Sequence, residues 1–368
     1  LFPAAALVML LIAIPFAKAI AAIPGHGGPV AYGSAFGRFA GFELGWTYYI
    51  ARMAAFGANV HVLVDYILRW IDIAPAEWVR PLLILAAIAL LAGINIAGTT
   101  RAIRLLGGLT LLKSLPLIAI AALALVMTPL PALGPPPPLT AVEASVLLVF
   151  YAFMGFESPI AVSGESRDGG RSIARGMLLT IFLITLLYFI VQLAFSTVAP
   201  PVAAGEKAPL LALGTALLGP VGALLILLAA VSSLAGNLQA NMTGSPRISH
   251  ALAARGDLPQ WMAAVHPRFL TPHASILLMA VIVATLGLSG GFVWLAVVST
   301  LARMGVYAVT IAAWLRIQRR SPGDIALGAI GILLCIAVST QATAAAWATL
   351  AALLLAGLAL YLFARRTV

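Results

Sequence analysis

The chain has 368 residues, of which 62% are hydrophobic and only 9% are charged. Its mean hydropathy is +1.09. These values lie far outside the range of soluble globular domains, so the composition indicates a polytopic membrane protein. The single cysteine excludes a disulfide framework within the chain.

Apolar runs of about 20 residues, the length that crosses a bilayer, follow one another along the chain. The run at 35–70 is long for one span, which predicts a tilted helix or a short surface helix before it. Residues 129–138 are rich in proline and cannot form a helix interior. In all, about eleven spans are predicted, at 1–23, 35–70, 79–97, 105–127, 139–162, 173–198, 221–242, 274–288, 292–317, 325–339 and 344–363.

The basic residues are distributed unevenly between alternate loops. Fifteen of the 21 lysines and arginines fall on one side, three fall on the other side and three lie within spans. This bias marks the first side as cytoplasmic, so the net charge of +10 is a topology signal and does not indicate nucleic-acid binding. The C-terminus is then cytoplasmic and Leu1 lies outside, which would be explained by one further helix upstream.

The stretch from Tyr151 to Arg175, YAFMGFESPIAVSGESRDGGRSIAR, is an apolar run that breaks near its middle. Pro159 has no N–H, so the carbonyl of Gly155 is expected to lose its helical partner. Freed backbone groups in hydrocarbon cost several kcal/mol each, so the break should face protein or a watery cavity. Glu157 within a span points to function, whereas a proline kink kept for packing is the alternative.

Several blocks carry a family resemblance: PGHGGPVAYGSAFGRFAGFELGW at 24–46, the FMGFESP break with its GESRDGGRSIARG tail, and the segment 232–272, which begins SSLAGNLQANM. With its hydropathy, the chain resembles the amino acid, polyamine and organocation transporter superfamily over nearly its whole length. The resemblance implies an all-α membrane protein, a polytopic helical bundle with a leucine-transporter-like inverted repeat of five plus five helices. Residues 1–127 would form helices 2–5 of the first repeat, 139–317 the second repeat and 325–363 two accessory helices. The family's glycine-interrupted first helix has no counterpart in this sequence, which suggests a fragment.

The resemblance also implies a substrate site. Backbone carbonyls at the end of the outer half-helix carry the negative pole of its dipole and would take an ammonium group. Tyr151 would be an aromatic gate, and Glu157 has gating or local capping as its favoured role. Asn237 has an equal alternative, an interhelical hydrogen bond that serves packing. The predicted substrate-binding residues are Tyr151, Ala152, Met154, Gly155, Phe156, Glu157 and Asn237.

Three cationic residues fall within spans. Lys113 should stand roughly 12 Å deep, where relatives coupled to sodium hold the cation. Ser232 and Ser233 match the hydroxyl positions of that sodium site. Because burial disfavours a charged ammonium, Lys113 would suit proton coupling, whereas snorkelling to the surface is the alternative. Arg52 and Arg303 should be structural clamps paired with Glu157 or with the Asn59 face, because an unpaired arginine in a span is expensive.

These observations predict a bacterial secondary active transporter of amino acids or related amines in the cytoplasmic membrane, coupled to protons or working as an exchanger. No cofactor is expected beyond a proton or a sodium ion, and the expected partners are an amino acid substrate and the lipid bilayer. A membrane receptor or pseudo-transporter, which binds an amine without moving it, is the alternative. An enzyme is disfavoured, since no His, Cys or carboxylate cluster at ligand spacing lies within a span. The sequence leaves the substrate side chain and the oligomeric state open.

Overall fold

The structure is a computed structural model that describes residues 2–22, 28–71, 76–129, 138–158, 171–198, 208–317 and 321–366. At 99–108, 110–111, 139–141 and 143–144 it describes the backbone alone. The proline-rich connector, Pro159 and most of the charged tail that follows the break lie outside the described residues.

The described residues form a helical bundle. In chain order the helices are α1 (Phe2–Ala22), α2 (Pro29–Gly33), α3 (Arg38–Ile71), α4 (Val79–Ile96), α5 (Thr99–Met127), α6 (Leu139–Phe153), α7 (Arg171–Val198), α8 (Pro209–Ala254), α9 (His273–Ser289), α10 (Phe292–Ile317), α11 (Pro322–Ser339) and α12 (Ala344–Arg366).

Most helices match the predicted spans to within a few residues. The long run at 35–70 is one helix of 34 residues, α3, preceded by the short helix α2 and a 3₁₀ turn, Ser34–Phe36. Helix α8 extends beyond its predicted span and bends at Gly219, which adopts a positive φ of 58° immediately before Pro220. Within the described residues, seven helices are long and apolar enough to cross a membrane. The count of eleven spans stays a prediction.

Helix α3 lies at the centre of the bundle, where it packs against α8 and α10. Its side chains from Gly41 to Tyr66 are mostly buried, including Tyr49, Ile50 and Phe56. By contrast, α7 directs large apolar side chains such as Phe182 and Leu183 outward. A continuous apolar exterior around a packed interior is the surface expected of a protein that lies in lipid.

The predicted break in the apolar run is confirmed. Helix α6 ends at Phe153, Met154 is extended with ψ 149°, and Gly155 has φ +110°. The Gly155 carbonyl nevertheless has a donor, because the Ser158 N–H donates to it at 3.0 Å. A tight turn across residues 155–158 therefore replaces the lost helical hydrogen bond.

Candidate functional site

A cavity of 610 Å³ lies beside the break in α6. Helices α3, α5, α7, α8 and α10 and the turn after α6 complete its walls, and most of the predicted site residues reach it. The described residues that line the cavity are Arg52, Ala55, Asn59, Leu109, Lys113, Tyr151, Ala152, Met154, Gly155, Ser158, Ile184, Tyr188, Ser232, Ser233, Leu234, Gly236, Asn237, Ala240, Asn241 and Arg303.

The carboxyl end of α6 forms one wall of the cavity. Ala152, Met154 and Gly155 line the cavity there, and the helix dipole places partial negative charge at this end. The Tyr188 hydroxyl of α7 donates to the Ala152 carbonyl at 2.8 Å, and the Met154 N–H donates to the Tyr151 carbonyl at 3.1 Å. An ammonium group at this wall would meet an electronegative surface that α7 holds in place.

A chain of side-chain hydrogen bonds connects α6 to α3 and α8 at the cavity. The Tyr151 hydroxyl donates to Asn59 Oδ1 at 2.9 Å, and Asn59 Nδ2 donates to Asn237 Oδ1 at 2.8 Å. Asn241 Nδ2 also donates to Asn237 Oδ1, at 3.2 Å. Because these residues come from α6, α3 and α8, the chain fixes three helices relative to one another around the cavity. Asn237 thus makes the interhelical hydrogen bonds of the packing alternative while it also lines the cavity.

Arg52 of α3 lies at the edge of the cavity with 6% of its surface exposed. Its Nε donates to Ser245 at 2.6 Å, and its Nη1 donates to Ser158 at 3.2 Å and to Tyr48 at 3.3 Å. The expected partnership with Glu157 or with the Asn59 face is wrong for this arginine, because the bonds it makes are to neutral hydroxyls and to the Ala240 carbonyl.

Arg303 of α10 has the predicted acidic partner. Its Nε lies 3.2 Å from Glu157 Oε1, and both side chains are buried. Glu157 Oε2 accepts from the Gly155 N–H at 2.8 Å and from the Tyr307 hydroxyl at 2.9 Å. The Glu157 carboxylate therefore caps the turn through the Gly155 N–H, as the predicted local capping role requires.

The structure does not bring every predicted site residue to the cavity wall. Glu157 is directed toward α10, and the Phe156 ring packs against Phe16 and Tyr307 with ring centroids 6.1 Å and 5.5 Å apart. Neither Phe156 nor Glu157 is among the described residues that line the cavity. Their predicted direct contact with substrate has no support from this geometry.

Lys113 of α5 lines the same cavity as Ser232 and Ser233 of α8. The three predicted coupling residues are thus brought together, although they come from helices more than 100 residues apart in sequence. The Lys113 side chain is half-buried and faces the cavity, which argues against a lysine directed only toward the membrane surface.

Sequence reasoning missed Tyr188 and Asn241. Tyr188 carries a hydroxyl group within the mostly apolar span α7. Asn241 lies one turn after Asn237 on α8. A search for polar residues one turn apart in apolar spans would have found Asn241, because side chains at i and i+4 share a helix face.

The fold and the cavity together define a class of protein. The chain is a multi-pass helical membrane protein in which α6 ends in a turn beside a polar cavity. Secondary transporters place their substrate sites at helix ends of this kind. A sequence profile of the amino acid permease family matches residues 2–364. The chain therefore belongs to the amino acid permease family.

Individual relatives agree with this assignment. An uncharacterized transporter of Mycobacterium tuberculosis is 29% identical over 295 residues, which is 77% of this chain and 64% of that protein. The serine/threonine exchanger of Bacillus subtilis is 30% identical over 138 residues, 36% of this chain and 31% of the exchanger. The D-serine/D-alanine/glycine transporter of Escherichia coli is 23% identical over 317 residues, 78% of this chain and 65% of the transporter. The chain thus spans less than two thirds of the length of these relatives.

Proposed function

We propose that the protein is a secondary active transporter of amino acids that holds its substrate in the cavity beside the broken helix α6. The observation that carries this proposal is the carboxyl end of α6, where Ala152, Met154 and Gly155 line a polar cavity of 610 Å³ and the helix dipole presents partial negative charge. Family membership and the relatives named as amino acid transporters support the same conclusion.

Uptake by purified protein in proteoliposomes tests the proposal. A panel of labelled amino acids is added outside vesicles that contain the unlabelled compound, and we expect label to accumulate by exchange. Empty vesicles provide the control. Label that binds to the protein but never enters the lumen would favour the alternative, a membrane receptor that does not transport.

We further propose that Lys113 with Ser232 and Ser233 couples transport to an ion. All three residues line the substrate cavity, and a half-buried ammonium group beside hydroxyls can exchange a proton or occupy the place of a cation. The coupling ion would be a proton or sodium, with exchange as the alternative mode.

We also infer the family's inverted repeat, with 1–127 and 139–317 as its two halves and 325–363 as accessory helices. The central packing of α3 against both α8 and α10 supports this division, because helices of the two halves then enclose one shared cavity. The excess of basic residues in alternate loops supports a cytoplasmic-membrane protein with a cytoplasmic C-terminus.

A further inference from the structure

Among the described residues, the charged side chains that line the cavity are all cationic. Three cationic side chains, Arg52, Lys113 and Arg303, are among the described residues that line it, and no carboxylate is among them. Arginine stays protonated in proteins, so Arg52 and Arg303 are permanent charges. Like charges on buried or half-buried side chains are costly unless a counter-charge accompanies them.

Four of the described carboxylates form ion pairs, and one of these pairs involves a cation of the cavity. Asp65 pairs with Arg80, Asp257 with Arg38, Asp324 with Lys18 and Glu157 with Arg303. Glu43 and Glu77 do not line the cavity. Within the described part of the chain, Arg303 is therefore balanced by Glu157, whereas no carboxylate lies within ion-pair distance of Arg52 or Lys113.

The Arg52 side chain is held in a fixed orientation at the cavity wall. Its Nε and Nη1 are fixed by hydroxyl groups of Ser245, Ser158 and Tyr48, which orient the guanidinium without neutralising its charge. Among the described residues, its Nη2 makes one long hydrogen bond, 3.4 Å to the Ala240 carbonyl. A preoriented guanidinium at a cavity wall can therefore donate a charge-assisted hydrogen bond from Nη2 to a carboxylate.

We propose that the substrates of this cavity are acidic amino acids, which bring one more negative charge than a neutral zwitterion. The inference rests on the proposed function and names its substrate class. The ammonium group lies at the carboxyl end of α6, and the two carboxylates lie toward Arg52 and Lys113. The relatives named above transport serine, threonine, alanine or glycine according to their names, so this chain would differ from them in substrate charge.

Competition binding to the purified protein tests the proposal in chloride-free buffer. Aspartate and glutamate are compared with their neutral isosteres asparagine and glutamine, and one additional charge-assisted hydrogen bond predicts at least about tenfold tighter binding of the acids. Equal or tighter binding of the neutral isosteres, or neutral binding that appears only when chloride is added, would overturn the acidic specificity and leave the proposed function standing. Binding of none of these amino acids, together with no exchange in proteoliposomes, would overturn the proposed function itself.

Two substitutions at Arg52 separate charge from structure. Arg52→Lys keeps the charge and should keep the preference for aspartate over asparagine, whereas Arg52→Gln should reduce this preference about tenfold. Arg316→Gln is the matched control, because Arg316 lies on the exposed end of α10 over the Phe36 ring, away from the cavity. The proposal would be contradicted if folded Arg52→Gln protein kept the same ratio of aspartate to asparagine affinity.

Discussion

The Nε atom of Arg303 on α10 lies 3.2 Å from Glu157 Oε1, and this ion pair joins α10 to the turn at which α6 ends. Both side chains are buried, and the same carboxylate accepts from the Gly155 N–H and from the Tyr307 hydroxyl. One acidic residue thereby caps the turn after α6 and neutralises a permanent charge at the cavity wall.

Replacing Glu157 should destabilise the fold strongly. Glu157→Gln leaves the Arg303 guanidinium buried without a counter-charge, so we expect the free energy of unfolding to fall by about 3–5 kcal/mol. Thermal unfolding of the protein in detergent, followed by tryptophan fluorescence, measures the effect as a lower Tm.

A double substitution provides the internal check for this pair. Glu157→Gln with Arg303→Gln removes both charges and should recover part of the lost stability, because no unpaired charge remains. Asp324→Asn, which breaks the exposed pair with Lys18, should change Tm little. A double variant as unstable as the sum of the single variants would contradict the pairing.

Gly155→Ala should destabilise the turn through the backbone alone. Gly155 has φ +110°, and a Cβ there would meet no atom within 4 Å, so a loss of about 1–3 kcal/mol would come from strain. Gly176→Ala on α7 is the matched control, because its Cβ would also meet nothing but its backbone is helical. Tm should fall for Gly155→Ala and should stay the same or rise slightly for Gly176→Ala. An equal change of Tm in the two variants would exclude backbone strain at Gly155.

Asn237→Ala tests whether this residue binds substrate or serves packing alone. If substrate contacts the wall built by Asn237 and Asn59, KM for uptake should rise about tenfold, as expected for a lost hydrogen bond to a charged group. Asn95→Ala removes a comparable interhelical contact, to Gln239 and Thr243, from residues that do not line the cavity. If Tm falls and KM stays unchanged in both Asn237→Ala and Asn95→Ala, Asn237 serves packing alone.

Lys113→Gln should separate coupling from exchange. Without an ionisable group at this position, accumulation driven by an imposed pH gradient should be lost. Exchange of labelled for unlabelled substrate should continue with a higher KM, because Lys113 also faces a substrate carboxylate in the proposed binding mode. Lys18→Gln removes a lysine outside the cavity and should leave both activities intact. Gradient-driven accumulation that survives in Lys113→Gln would exclude this lysine as the proton carrier, and dependence on a sodium gradient would identify the alternative ion.

The orientation of the helices can be measured with single cysteines. In a Cys335→Ala background, Ala254→Cys after α8 should react with an impermeant maleimide only in inverted vesicles. Gln341→Cys between α11 and α12 should react only in intact cells, because an odd number of spans separates the two positions. The reverse labelling would overturn the cytoplasmic C-terminus.

The sequence by itself determined the elements of this protein. Apolar runs near the thickness of a bilayer predicted most helix bounds, since a chain in lipid must satisfy its backbone within each helix. The break at Gly155 followed from the same rule, because a glycine and a proline near an acid cannot continue an apolar helix without cost. Family resemblance supplied Lys113 and the two serines, which share a cavity with Tyr151.

The tertiary structure decided which polar side chains pair with each other and which of them reach the cavity. Glu157 faces Arg303 while Phe156 packs against Phe16, so neither reaches the cavity, and Arg52 meets hydroxyls instead of an acid. Tyr188 reaches the Ala152 carbonyl from another helix. Periodicity fixes where a helix runs and which side chains share its face, but its rotation and its neighbours follow from packing between distant segments, and those contacts place the cations around the cavity.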